Sequence, residues 1–138
     1  MSAAAAHRVC IAGASGRMGR MLIDAVRATD DCVLAGALDI VATPAIGQDA
    51  GAYAGQPTGV TITANIAAGL AASDVLIDFT RPEGTMAHLH ACVAQGVNLV
   101  IGTTGFSEAQ KAEIADASRR IAIVMAPNMS VGVNVTLK

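Results

Sequence analysis

Aromatic residues are almost missing from this sequence: one Tyr, two Phe and no Trp make up 2% of its 138 residues. A core without rings must be filled by Ala, Val, Ile and Leu. With 14 glycines, such a core suits helices packed closely on a parallel sheet. Charge is sparse as well. Charged residues are 14%, the net charge is -2 and no basic run stands out, so no nucleic-acid partner is expected. Cysteine is limited to Cys10, Cys32 and Cys92, with no Cys-x-x-Cys pair. An odd, scattered set reads as reduced and mostly buried thiols, not as a disulfide frame. No apolar run approaches membrane-spanning length, and the first six residues lack the pattern of a signal peptide. No membrane partner is expected, and a cytoplasmic location is the default.

A chain of this length fits one domain with a real core. What is present is an alternation of short apolar runs with amphipathic segments. Residues 8–12, 33–38, 60–63, 74–79, 98–101 and 121–125 read as strands. Residues 17–28 read as a helix, with Met18, Met21, Leu22, Ala25 and Val26 on one face. Residues 66–72 form a short helix. Pro82 opens a helix over 82–95 that Gly96 stops, and Ser107 caps a helix through Arg119. Residues 41–59 look loop-rich. Strands alternating with helices predict an α/β fold, a doubly wound parallel sheet with right-handed crossovers.

In such sheets ligands bind beyond the carboxyl ends of the strands. The first candidate is Gly13-Ala14-Ser15-Gly16-Arg17-Met18-Gly19, directly after Val9-Cys10-Ile11-Ala12. Its glycines lie three apart. Gly13 allows the turn, Gly16 lets backbone approach a phosphate, and Gly19 lets the helix pack on the strand. Ser15 stands where a second glycine is usual, so its hydroxyl or N–H is a candidate for phosphate, and Arg17 adds a cation. A glycine-bearing turn with no ligand remains the plainer reading of the triplet alone. Asp39 lies 20 residues beyond Gly19, at the end of the second strand. An acid there accepts hydrogen bonds from adenosine ribose hydroxyls and disfavours the 2′-phosphate of NADPH, an effect that Arg17 could partly offset. An ordinary surface Asp fits the spacing too.

Two further strand-end loops carry polar groups. Gly102-Thr103-Thr104-Gly105 suits a nicotinamide and its ribose, or is a plain connection. In Phe79-Thr80-Arg81-Pro82-Glu83-Gly84, Arg81 reads either as a phosphate or carboxylate partner or as a surface ion pair. His88 and Cys92 share a helix face, but no further ligands accompany them, so a half-buried face is preferred over a metal site. His90 points away from His88. Asp78 reads as structural or as an acceptor for loop amides.

Together with Asn128-Met129-Ser130-Val131-Gly132-Val133-Asn134, these motifs resemble the nucleotide-binding half of the bacterial dihydrodipicolinate reductases of lysine and diaminopimelate biosynthesis. The resemblance implies a Rossmann-like domain over 1–130. Residues 131–138 would start the hinge helix toward a substrate domain that this sequence does not contain. Gly13, Ala14, Ser15, Gly16, Arg17 and Met18 would hold pyrophosphate, and Asp39 the adenosine ribose. Gly102, Thr103 and Thr104 would contact the nicotinamide side. Ala126, Pro127, Asn128 and Met129 would form the last cofactor loop, with Phe79 and Arg81 near the cofactor. In relatives that use both cofactors an Arg often follows the acid. Ile40 stands there instead, which implies NADH as preferred cofactor with NADPH as the weaker one.

The substrate of the intact enzyme would be a small cyclic dicarboxylate. The relatives are tetramers built mainly through the other domain, which would leave this stretch monomeric. The family's His-His-x-x-x-Lys catalytic motif and Gly-Thr-Ala substrate loop match no stretch here. No catalytic or metal-binding residue is therefore nominated, and the chain alone is expected to be inactive. A short-chain dehydrogenase would need Tyr-x-x-x-Lys, but Tyr53 is followed by Pro57 at that spacing. A non-catalytic, redox-sensing NAD module would use the same cofactor residues and remains the alternative.

Overall fold

In a computed structural model, which describes residues 6–125, six strands form one sheet whose neighbours all run parallel. The strands are β1 (His7–Ala12), β2 (Cys32–Leu38), β3 (Ile62–Thr63), β4 (Val75–Asp78), β5 (Asn98–Ile101) and β6 (Ile123–Met125). The helices are α1 (Arg17–Ala28), α2 (Ile66–Leu70), α3 (Pro82–Gln95) and α4 (Glu108–Ala117). Strand order is β3-β2-β1-β4-β5-β6. The chain builds outward from β1 to β3, then returns to the other side of β1 with β4. Loops on the two sides diverge at that reversal and leave a crevice. This is the expected Rossmann-like fold.

β1 shows why the sheet forms. Its side chains alternate: Val9 and Ile11 enter the core shared with Ile23, Val26 and Ile62, while Cys10 and Ala12 enter the opposite core with Leu76, Leu89 and Ile101. Both faces are covered, as an all-parallel sheet requires. Cys10 and Cys92 are buried and Cys32 is half-buried. Burial pushes the Cys10 and Cys92 thiols up to about 12, so neither is a ready nucleophile.

Several elements differ from expectation for local reasons. Helix α1 has the expected bounds, but its buried residues are Gly19, Ile23 and Val26, and Met21 is 59% exposed. Gly19 sets that rotation. A Cβ at Gly19 would collide with the Gly13 carbonyl and Ala14 Cα, so this face alone can touch the turn. Strand β3 is shorter than 60–63. Segment 47–50 takes the nearby backbone groups instead, with Ala50 N–H donating to the Val60 carbonyl and Thr61 bridging Asp49. The last strand starts late because Ile121 N–H donates to the Ala117 carbonyl at the exit of α4. No helix among the described residues is long and apolar enough to cross a membrane.

Candidate nucleotide-binding crevice

The glycine turn carries the chain from β1 into α1, and its first residue, Gly13, lines the crevice. Gly13 follows β1 with φ +73°, a left-handed conformation that favours glycine. The turn closes through Gly16 N–H to the Gly13 carbonyl at 3.0 Å, and Ala14 N–H ties it to the Leu38 carbonyl at 3.0 Å. Helix α1 starts at Arg17 with no side-chain cap and no acid in its first turn. Its leading N–H groups and positive dipole end are therefore left for an anion. Arg17 is exposed and Met18 half-buried on that turn.

Asp39 joins this turn directly. Ser15 N–H donates to Asp39 Oδ2 at 2.8 Å, and the Ser15 hydroxyl donates to the same oxygen at 2.5 Å. Ile40 N–H donates to Oδ1 at 2.8 Å. The ion pairs among the described residues are Arg8–Asp74, His88–Asp78, His90–Glu113 and Lys111–Glu108, so Asp39 has no cationic partner there. Its chain neighbours Ile40 and Val41 are apolar and 68% and 82% exposed. Ser15 was expected to face phosphate. Here both of its donors go to the acid.

Behind Asp39 lies a crevice of about 720 Å³ between the ends of β1, β2 and β4, lined by Gly13, Asp39, Ile40, Phe79, Arg81 and His88 among others. Gly102, at the end of β5, supports its wall. A Cβ at Gly102 would run into the Phe79 ring, so the absence of a side chain there seats the ring. Thr104 is exposed. Thr103 is not: it is 5% exposed, and its hydroxyl lies 3.0 Å from that of the buried Thr85. Arg81 is exposed and precedes α3. Gly13 of the turn, Asp39, Phe79 and Arg81 thus meet around one opening, as the strand-end rule implies, whereas Ala14, Ser15, Gly16, Arg17 and Met18 are not among its lining residues. Ala126, Pro127, Asn128 and Met129 lie outside the described residues. A second hollow of about 410 Å³ between α3 and α4, beside His90 and Glu113, involves no strand end.

The floor of the crevice holds a pair that the motifs did not reveal. Asp78 is fully buried, and its Oδ2 lies 2.6 Å from His88 Nδ1. Its Oδ1 accepts from Thr80 N–H at 2.9 Å and from the Thr80 hydroxyl at 2.6 Å. Burial pushes the Asp78 carboxyl up. The His88 hydrogen bond and charge, with the Thr80 bonds, outweigh this and hold it below the usual carboxylate range. His88 keeps one edge on the crevice at 12% side-chain exposure. The available sequence signal was an acid ending a strand with a histidine two turns into the next helix. Spacing does not give the rotation that joins them.

Residues 7–129 match the family described as "Dihydrodipicolinate reductase, N-terminus". The 4-hydroxy-tetrahydrodipicolinate reductase of Herminiimonas arsenicoxydans is 59% identical over 131 residues, 95% of this chain and 49% of that protein. The enzyme of the same name from Burkholderia pseudomallei (strain 668) is 61% identical over 131 residues, with the same coverage. The chain spans about half the length of the curated relatives it matches. Among solved structures, dipicolinate-bound dihydrodipicolinate reductase from Paenisporosarcina sp. TG-14 superposes with a TM-score of 0.72 at 26% identity, over 92% of this chain and 49% of that one.

Proposed function

Because this chain belongs to the dihydrodipicolinate reductase family, we propose that it is the nucleotide-binding part of a 4-hydroxy-tetrahydrodipicolinate reductase and holds NADH in the crevice beside α1. One observation carries the cofactor reading: the acid at the end of β2 is fastened to the glycine turn by Ser15 and has no cationic partner among the described residues. The residues fit a dinucleotide. The uncapped start of α1 offers N–H groups for the pyrophosphate, and Gly13 and Gly16 leave the backbone bare for close approach. Asp39 Oδ1 accepts one hydrogen bond within the chain and keeps a lone pair for a ribose hydroxyl. Phe79, seated on Gly102, gives an apolar wall, and the loop of residues 102–104 would serve the nicotinamide side.

When bound, the cofactor supplies the hydride from C4 of its nicotinamide. This chain positions it. In the whole enzyme the acceptor is a cyclic dicarboxylate within lysine and diaminopimelate biosynthesis, and the assembly is a cytoplasmic homotetramer held mainly by its other part. This sequence contains no His-His-x-x-x-Lys stretch, so the 138-residue chain binds cofactor without turnover. A 2′-phosphate beside an uncompensated Asp39 costs about 1–3 kcal/mol at partly exposed spacing, or about ten- to a hundredfold in affinity. Isothermal titration of the chain with each nucleotide tests this. NADH is expected to bind more tightly, and NADPH binding equally or better overturns the preference.

A further inference from the structure

The donors of Ser15 have a consequence beyond placing an acid at the ribose. In the usual glycine-rich turn this position is a glycine with no side chain to offer the acid at the end of β2. Here Asp39 Oδ2 receives two bonds from one residue, the N–H at 2.8 Å and the hydroxyl at 2.5 Å. The Ser15 proton is thereby committed. Thr43 Oγ1 lies 3.5 Å from Ser15 Oγ, so any bond between these hydroxyls has Thr43 as donor. The Thr43 oxygen in turn accepts from Ala45 N–H at 3.3 Å.

A short relay therefore runs from the 43–45 turn through Ser15 to the carboxylate, and it holds the carboxylate with neutral donors only. Neutral donors fix the direction of a carboxylate without cancelling its charge, whereas a cation would do both. No ion pair among the described residues offsets its charge toward anything that enters the crevice.

We infer that Ser15 is a specificity-determining positioning residue, which discriminates between NADH and NADPH by locking Asp39 against the ribose site. The inference rests on the proposed NADH reading. Removing the hydroxyl takes away one of the two bonds on Oδ2 and leaves the carboxylate held only by the Ser15 and Ile40 amides, so its direction is less tightly fixed. That weakens its bonds to the ribose hydroxyls of NADH and relieves its repulsion of the NADPH phosphate.

The test is calorimetric titration of NADH and NADPH into the 138-residue chain and its Ser15→Ala, Ser15→Thr and Asp39→Asn variants, with circular dichroism to confirm folding. Ser15→Ala is expected to weaken NADH about tenfold, the scale of one charge-assisted hydrogen bond, while NADPH holds or tightens. Ser15→Thr keeps the hydroxyl and is expected to restore the wild-type ratio. In the Asp39→Asn background, adding Ser15→Ala is expected to leave the ratio where Asp39→Asn put it, since the two act as one unit. If Ser15→Ala weakens both nucleotides equally, Ser15 is merely structural and the inference is overturned. If Ser15→Ala does not fold, the ratio for Ser15→Thr decides: a lost preference despite a retained hydroxyl overturns it. Wild-type chain that binds neither nucleotide, or shows no preference, defeats the cofactor reading instead. Wild-type preference retained in Ser15→Ala defeats this inference alone.

Discussion

Replacing His88 with Leu removes the single partner of Asp78 Oδ2 among the described residues and puts an apolar side chain of similar bulk in its place. Asp78 is fully buried, and Thr80 satisfies only its Oδ1, with bonds of 2.9 and 2.6 Å. Loss of the 2.6 Å contact to His88 therefore leaves half of a buried carboxylate without a donor. Removing one partner of a buried, hydrogen-bonded carboxylate costs about 3 kcal/mol, since the two surviving Thr80 bonds still hold the other oxygen. For a domain of this size the loss corresponds to a fall in melting temperature of about 10 °C.

The pH dependence has a definite sign. In the folded wild type the Asp78 carboxyl is held below the usual carboxylate range. The stability it carries is full above its unfolded value of about 4 and is lost as pH falls through the folded value. His88→Leu removes the partner that lowers it, so the deficit of the variant is largest at neutral pH and shrinks once the pH drops below about 4. Urea unfolding at about pH 7 and about pH 3.5 measures both. A deficit under about 1 kcal/mol at neutral pH, or the same deficit at both pH values, refutes the reasoning.

Two other perturbations probe the walls of the crevice. Gly102→Ala places a methyl group where the Phe79 ring sits, so it should cost about 1–3 kcal/mol by urea unfolding and weaken NADH in a binding titration; unchanged affinity would mean the ring has no part in the site. Asp49 accepts from Gly51 N–H, Thr58 N–H, the Thr58 hydroxyl and Gly59 N–H, and the Thr58 and Gly51 amide bonds hold its carboxyl far below the usual range despite some burial. Asp49→Ala should therefore speed limited proteolysis within 49–59 at neutral pH, and wild type should lose its protection as pH falls well below 4; cleavage equal in both chains at neutral pH would contradict this.

Much of the fold was legible because its elements announce their ends. Helix α3 runs from Pro82 to Gln95 as expected, since Pro82 starts it and Gly96, at φ +69°, stops it. Ser107 caps α4 through Gln110 N–H, and the Gln110 side chain returns the bond. The strands of a parallel sheet are buried on both faces and read as apolar runs. Side-chain direction was less legible. The buried face of α1 follows the contact between Gly19 and Gly13, which no hydrophobic period records, so Met21 and Ala25 are exposed although the period points them inward.

The site shows the same division. Gly13, Asp39, Phe79 and Arg81 could be nominated because they follow strands, and they meet at one opening. Which polar group bonds which could not be read from spacing. Ser15 turns to Asp39, 24 residues away, and Thr103 turns inward to Thr85. Asp78 finds His88 only once α3 is packed across the end of β4.

The central claim is that a dinucleotide lies in the crevice at the ends of β1, β2 and β4. Amide chemical-shift mapping of the isotopically labelled chain during an NADH titration tests it most directly. Shifts are expected to cluster at residues 13–19, 39–41, 79–81 and 102–104. Shifts confined to the α3–α4 hollow around His90 and Glu113, or none at saturating NADH, would contradict it.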